Sequence, residues 1–165
     1  AIFDHRDGNT MEVLGGAPPM EIVALDFGGT VDTLEFNRTD RKRLWESISG
    51  ETGEALDLVR RGVEQGDPGL VGQGATISAQ ACQKVLAKPQ LSQVMEFAAS
   101  VGAVGVNVAH SGTIIGVLLD ARQRRGLSVF RQAKQTFPWL EAIHHFRLLG
   151  GGLRRVDPKG PSPAA

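Results

Sequence analysis

Two apolar segments separated by three residues most limit what this chain can fold into. The first, VGVNVA, spans residues 104–109, and the second, TIIGVLL, spans residues 113–119. Short runs rich in β-branched residues, joined by a connection that contains glycine, predict neighbouring antiparallel strands. The connection HSG, at residues 110–112, is short enough for a tight turn. We therefore expect the two segments to pair within one sheet.

Three further segments are predicted to be strands. EIVALD at 21–26 is apolar almost throughout, which indicates a strand buried on both faces. EAIHHFRLL at 141–149 is predicted to be the last strand. Near the start of the chain, a strand end and the short strand TMEVL at 10–14 flank a turn. Adjacent His144 and His145 would point to opposite faces of their strand, so they would not chelate one metal together.

The remaining periodic segments predict helices. Apolar residues recur at helical spacing from Asp40 onward, until GDPG at 66–69 interrupts the pattern. A new helix is expected to begin near Thr76 or Ser78, either of which is a suitable N-cap. Pro89 suits the first turn of the next helix.

The order of these elements predicts the fold class. A strand is followed by helices, a strand, a turn, a strand, a helix that ends near Pro138, and a final strand. This is the order of the split βαβ, or ferredoxin-like, arrangement with extra helices in the first crossover. We therefore expect an α+β sandwich in which helices cover one face of an antiparallel sheet.

Composition excludes several classes of function. Eighteen basic and eighteen acidic residues give a formal net charge of zero, which provides no electrostatic attraction to nucleic acid or to an anionic membrane. No apolar stretch is long enough to cross a bilayer. Cys82 is the single cysteine of the sequence and no Cys/His cluster has zinc-ligand spacing, so a cytoplasmic protein without internal disulfides is expected.

The first candidate site follows the strand at 21–26. Asp26 at a strand end, before glycines, suggests the nucleophile loop of a phosphatase, but the second acid of such loops is replaced here by Gly28. We therefore interpret Asp26 as a structural or substrate-orienting carboxylate. Paired glycines allow positive φ and close backbone approach. Asp32 and Asn37 would either hold a ligand amine or cap the next helix. The candidate residues of this segment are Asp26, Gly28, Gly29, Asp32 and Asn37.

The second candidate site is the turn between the paired strands. Its small residues would turn the backbone tightly and leave amides free to contact a phosphate or a carboxylate. Its members are Ala109, His110, Ser111, Gly112 and Thr113. The alternative is a simple β-hairpin without a ligand. No residue of the chain is assigned as a catalytic group or as a metal ligand.

Several segments, in order along the chain, resemble one enzyme family. They are FDHR at 3–6, LGGAPPM at 14–20, DFGGTVDTLEFN at 26–37, GATISAQ at 74–80 and GAVGVNVAHSGTIIGVLL at 102–119. Together they resemble the C-terminal part of the GHMP-family small-molecule kinases, and within that family the L-threonine kinases of cobalamin synthesis and propanediol utilisation. By this resemblance the turn at 109–113 corresponds to the third GHMP motif and faces the active-site cleft.

The resemblance implies a reaction and its requirements. The expected reaction is phosphorylation of a hydroxyl group of a small molecule, L-threonine or a related hydroxy compound, with ATP and Mg²⁺. The chain lacks both the family's phosphate loop PxxxGLGSS and the Walker sequence. We therefore expect the chain alone to bind ATP weakly and to be inactive. The alternative is a non-catalytic ferredoxin-like module that binds an amino acid or a protein partner.

The resemblance also implies a domain organisation. Residues 1–20 would be the end of a missing N-terminal kinase domain and a linker, residues 21–156 the C-terminal ferredoxin-like domain, and residues 157–165 a disordered tail. A surface that normally packs on a missing domain would be apolar and exposed, so a homodimer is a further expectation.

Overall fold

A computed structural model of the chain describes residues 2–3, 8–38, 42–109 and 112–150. The strands are β1 (Ile2–Phe3), β2 (Thr10–Glu12), β3 (Met20–Asp26), β4 (Gly105–Val108), β5 (Ile114–Asp120) and β6 (Ala142–Arg147). The helices are α1 (Thr33–Arg38), α2 (Lys42–Ser47), α3 (Ser49–Gln65), α4 (Pro68–Ala81), α5 (Leu91–Ser100) and α6 (Gly126–Thr136). Short 3₁₀ turns occur at Cys82–Lys84 and Ala121–Gln123. Within these described ranges, no helix combines the length and the apolar character needed to span a membrane.

Four of the strands form one antiparallel sheet in the order β4-β5-β3-β6. Strands β1 and β2 pair separately. The first strand of the sheet, β3, lies beside the third and the fourth strands in chain order, as in the split βαβ arrangement. The predicted α+β ferredoxin-like class is therefore confirmed, and the extra helices lie between β3 and β4 as expected. The predicted pairing of β4 with β5 is also confirmed.

The main core lies on one face of this sheet. Side chains alternate between the faces of a strand, so residues two apart share a face. Val23 and Leu25 of β3 and Ile115 and Val117 of β5 are each 0% exposed, and they belong to one cluster with residues of α5 and α6. The antiparallel register places Asp26, the last residue of β3, opposite Ile114. The loop that follows β3 and the turn that precedes β5 therefore meet at one end of the sheet.

The connection between α3 and α4 follows the predicted interruption at 66–69. Gly66 ends α3 in the left-handed conformation, with φ at 63°. Pro68 occupies the first turn of α4, where its missing N–H costs no hydrogen bond. A carboxylate oxygen of Asp67 accepts a hydrogen bond from the Gly69 N–H at 2.7 Å and caps the helix.

The start of α4 differs from the prediction. The helix begins at Pro68, so neither Thr76 nor Ser78 is its N-cap. Its first half contains several glycines, which have low intrinsic helix propensity and hid the start of the helix from the sequence pattern. Tertiary packing requires two of them: a Cβ at Gly74 would lie 2.6 Å from the Ala55 carbonyl oxygen of α3, and a Cβ at Gly72 would overlap the Val104 carbonyl group.

Helix α4 covers the open edge of the sheet along β4. The Thr76 hydroxyl accepts a hydrogen bond from the Val106 N–H at 3.0 Å and donates one to the Gly72 carbonyl at 2.8 Å. A Cβ at Gly105 would overlap the backbone of Gly72, so the strand and the helix are in backbone contact. This contact protects an edge strand that would otherwise present unpaired N–H groups.

Candidate functional site

The loop after β3 has the backbone that its paired glycines predict. Gly28 and Gly29 have φ values of 76° and 90°, a region that side-chain-bearing residues rarely adopt. The Gly28 N–H donates a hydrogen bond to Oδ1 of Asp26 at 2.9 Å. A Cβ at Gly28 would overlap the carboxylate of Glu141. The positive φ therefore favours glycine at position 28, whereas the overlap can be relieved by movement of the exposed Glu141 side chain.

Asp26 joins this loop to the turn before β5. Its Oδ1 also accepts a hydrogen bond from the Thr113 hydroxyl at 3.1 Å, across 87 positions of sequence. Its backbone carbonyl accepts a hydrogen bond from the Glu141 N–H at 2.9 Å. One oxygen of the carboxylate therefore already binds two protein donors, which agrees with the interpretation of Asp26 as a structural carboxylate.

The turn at 109–113 is only partly as predicted. The N–H of Ala109 donates to the Ile114 carbonyl at 3.0 Å, so this amide is occupied and the expectation that it is free is wrong. The amide is occupied because the pairing with β5 continues for one residue after the end of β4. His110 and Ser111 lie outside the described residues. The N–H groups of Gly112 and Thr113 form no hydrogen bond to another described residue.

The two predicted candidate segments meet at one cavity of about 260 Å³. Three stretches of chain line it, Phe27–Val31 after β3, Leu86–Gln90 before α5, and Gly112–Thr113 before β5. Cavities that enclose drug-sized ligands usually measure about 300 to 1,000 Å³, so this one suits a small molecule or a single phosphate group.

A larger cavity, of about 500 Å³, lies between α3, α4 and the end of β4. Its described walls are mainly apolar, with Thr52, Ser78 and Asn107 as polar members and no charged residue among the described lining residues. Because polar and charged groups fix the orientation of a ligand, we place the candidate site in the smaller cavity.

Lys88 is a member of this site that the sequence analysis did not identify. The sequence pattern assigned it no functional role, yet the residue is 7% exposed and its Nζ donates a hydrogen bond to the Gly112 carbonyl. The Lys88 N–H donates to Oε1 of Gln83 at 2.7 Å, and Nε2 of Gln83 donates to the Ala79 carbonyl at 3.0 Å. Burial lowers the pKa of Lys88 from its ordinary value of 10.5. The sequence signal was weak, a single lysine within the apolar stretch VLAKP.

Asp32 is not among the described residues that line the cavity. Oδ1 of Asp32 accepts a hydrogen bond from the Glu35 N–H at 2.9 Å, which is the geometry of an N-cap of α1. Of the two roles predicted for Asp32, binding of a ligand amine and capping of the next helix, the structure shows the helix cap. Asn37 belongs to α1, and its side chain lies outside the description.

The histidine pair behaves as its strand position predicts. His144 is exposed and stacks on Phe146 with ring centroids 5.7 Å apart. His145 is partly buried, with Nε2 lying 3.6 Å from Oε1 of Glu21. The two imidazoles therefore lie on opposite faces of β6, away from the cavity.

Comparison with known proteins identifies two relatives whose sequences match almost the whole chain. The chain is 28% identical over 157 residues to an L-threonine kinase of Salmonella typhimurium, a match that covers 93% of this chain. It is 29% identical over 156 residues to an L-threonine kinase of Citrobacter freundii, which covers 92% of this chain. The resemblance to GHMP kinases that the sequence indicates is confirmed.

Part of the solved structure of L. major mevalonate kinase in complex with R-mevalonate has the same fold as this chain. The TM-score is 0.65 at 15% sequence identity, and the match covers 86% of this chain and 46% of the mevalonate kinase. No protein-family model matches the chain. The chain spans about half the length of the curated relatives, 52% of the Salmonella protein and 54% of the Citrobacter protein.

Proposed function

We propose that this chain is the C-terminal domain of an ATP-dependent small-molecule kinase that converts L-threonine to L-threonine O-3-phosphate for cobalamin biosynthesis. The observation that carries the proposal is the similarity to two L-threonine kinases over 92–93% of the chain. Residues 21–156 would form the domain, and the glycine- and serine-rich phosphate loop that this sequence lacks would come from the other half of the kinase.

The described residues suit an anionic group better than a metal ion. The loop at Gly28 and Gly29 has positive φ values, and Lys88 supplies a positive charge to the same cavity. In contrast, no group of three or more His, Cys, Asp or Glu side chains suited to a metal ion occurs in the part of the chain that the structure describes. We therefore assign no ligand of Mg²⁺ to these residues.

In the proposed reaction the hydroxyl oxygen of threonine attacks the terminal phosphorus of ATP, the bond to ADP breaks, and the hydroxyl proton leaves. Phosphoryl transfer depends mainly on positioning and on neutralising the charge of the phosphates. The role of this chain would be to position an anionic group at the cavity. Asp26 would not form a phospho-enzyme, because Gly28 occupies the position at which a phosphatase loop has its second acid, the proton donor to the leaving group.

The proposal is tested by measuring ADP release and by detecting phosphothreonine with ³¹P NMR. L-Threonine is the substrate, and L-homoserine and mevalonate are the comparison acceptors. Two proteins are assayed, the 165-residue chain and the product of the complete reading frame that encodes it. We expect threonine-dependent turnover only when a phosphate loop is present.

Three outcomes would contradict parts of this proposal. Rapid threonine-dependent ADP release by the 165-residue chain would refute its expected inactivity. A product with a phosphate loop that phosphorylates another acceptor in preference to threonine would refute the substrate. Binding of L-threonine without any turnover, by a reading frame that encodes no phosphate loop, would favour the non-catalytic amino-acid-binding module.

A further inference from the structure

Lys88 is the only charged side chain that is buried among the residues that the structure describes. Burying an ammonium group is costly unless hydrogen bonds and an opposite charge replace the lost water. The structure supplies one hydrogen-bond acceptor, the Gly112 carbonyl. An ammonium has three donors, so two remain without an acceptor among the described residues.

The described residues that line the cavity also include no carboxylate that would neutralise this charge. Burial lowers the pKa of Lys88, and the nearby charge that raises it is that of the Cys82 thiolate. No carboxylate of the described residues forms an ion pair with Lys88. Oδ1 of Asp26 accepts hydrogen bonds from the Thr113 hydroxyl and the Gly28 N–H instead. Lys84, four residues earlier, provides a contrast, because it is half-exposed and pairs with Glu51 at 2.8 Å. The exposed lysine is therefore paired with a carboxylate and the buried one is not.

The side chain of Lys88 is also held in place from both ends. Gln83 fixes its backbone N–H, and the Gly112 carbonyl fixes its ammonium. The cavity that it lines is completed by the glycine loop after β3 and by Thr113. The result is a fixed positive charge at a small cavity whose other polar groups include backbone N–H and hydroxyl donors.

We propose that Lys88 is an anion-binding residue, and that it binds a phosphate or carboxylate group of a small-molecule ligand in this cavity. The assignment of the ligand as a kinase substrate rests on the proposed function, whereas the binding of an anion does not. A phosphate group would come from the nucleotide or the phosphorylated product, and a carboxylate from the amino acid. The lowered pKa of Lys88 agrees with this role, because an ammonium without a partner anion is the disfavoured form.

The direct test is an NMR titration of the Lys88 ammonium in the unmodified chain. Inorganic phosphate is added at constant ionic strength, with sodium chloride as the reference salt. A bound anion favours the charged form, so phosphate is expected to raise the pKa of Lys88, and sodium chloride at the same ionic strength is not. No change in the pKa of Lys88 with phosphate or with L-threonine would overturn the proposal.

Variants separate charge from structure. Calorimetry with inorganic phosphate, L-threonine and L-threoninamide, in which a neutral amide replaces the carboxylate, identifies which group is bound. Lys88→Met is expected to weaken binding of the preferred anion about tenfold or more, the usual effect of losing a charged hydrogen bond. Lys88→Arg should retain most of the affinity, and the matched control Lys84→Met should change it less than about twofold.

The outcomes distinguish this inference from the kinase proposal. Equal affinity of the parent and a folded Lys88→Met variant would refute the role of Lys88, whatever the enzyme phosphorylates. Should Lys88→Met fail to fold, the titration of the unmodified chain and the Lys88→Arg variant still decide the question. Binding of phosphate but not of L-threonine would indicate that the ligand is the nucleotide or the phosphorylated product. Binding of L-threonine that is lost when its carboxylate is replaced by an amide would indicate that Lys88 binds the amino-acid carboxylate.

Discussion

The hydrogen bond between Thr76 and β4 provides a quantitative test of how the edge of the sheet is held. Thr76→Val keeps the shape of the side chain but removes the oxygen that accepts from the Val106 N–H at 3.0 Å. Val106 is 1% exposed, so the donor would be left without a partner in a buried position. Leaving a buried donor unsatisfied costs about 1–3 kcal/mol. For a chain of this size that corresponds to a fall in Tm of roughly 2–12 °C.

Urea denaturation followed by circular dichroism measures the global effect, and hydrogen exchange measures the local one. The Val106 amide is expected to exchange faster in Thr76→Val, because its acceptor is lost. Thr52→Val is the matched control, since the Thr52 hydroxyl donates only to carbonyls of its own helical segment, including that of Ile48 at 3.0 Å. This control should change stability by less than about 0.5 kcal/mol. Thr76→Ser, which retains the hydroxyl, should recover most of the loss.

The result also bears on the candidate site, because β4 leads directly into the turn at 109–113. Equal urea midpoints for Thr76→Val and Thr52→Val, together with unchanged exchange at Val106, would show that α4 does not hold the strand through this hydroxyl. The close backbone contact of Gly72 with Gly105 would then be the remaining attachment.

Three other changes have expected outcomes. Gly28→Ala should lower the free energy of unfolding by about 1–3 kcal/mol in urea titrations, because an alanine at a φ of 76° is strained; an unchanged midpoint would contradict this. Asp32→Ala should destabilise α1 by about 1 kcal/mol, seen as faster amide exchange within that helix alone. Since burial lowers the pKa of Lys88 below 10.5, the unfolded chain binds its proton more tightly, and stability relative to Lys88→Met should rise as pH increases through the lowered pKa toward 10.5. Both proteins carry Cys82→Ser in that experiment, because the charge of the Cys82 thiolate raises the pKa of Lys88 and opposes the effect of burial. A constant difference across this range would refute the shift.

The strands and their order could be predicted because their signals are local. The apolar runs that became β4 and β5 are separated by a short turn, so their pairing follows from neighbouring residues. The order of the elements is then compatible with only a few sheet topologies, since connections are short and sequential elements pack together. The start of α4 could not be predicted in the same way. Its glycines are explained by the helix and strand against which they pack, and this contact is visible only in the folded chain.

The candidate site was predictable in part for the same reason. The positive φ values of Gly28 and Gly29 follow from local chemistry, but the bond from Thr113 to Asp26 joins residues 87 positions apart. Lys88 reaches the Gly112 carbonyl across 24 positions. A lysine between apolar residues gives no sign of burial in the sequence, because most lysines extend their ammonium into water.

The environment of Lys88 also shows how structural and functional roles can be separated. A lysine kept only to hold the turn at Gly112 would make the fold more stable than a neutral side chain of similar length. A lysine kept to bind an anion would instead cost stability in the unliganded chain, because one carbonyl does not replace the water and the counter-charge that burial removes. The unfolding free energy and the anion affinity of Lys88→Met should therefore change in opposite directions, with stability maintained or raised and affinity lowered. If Lys88→Met lost both stability and anion affinity, Lys88 would be a structural residue whose role is to hold the turn at Gly112.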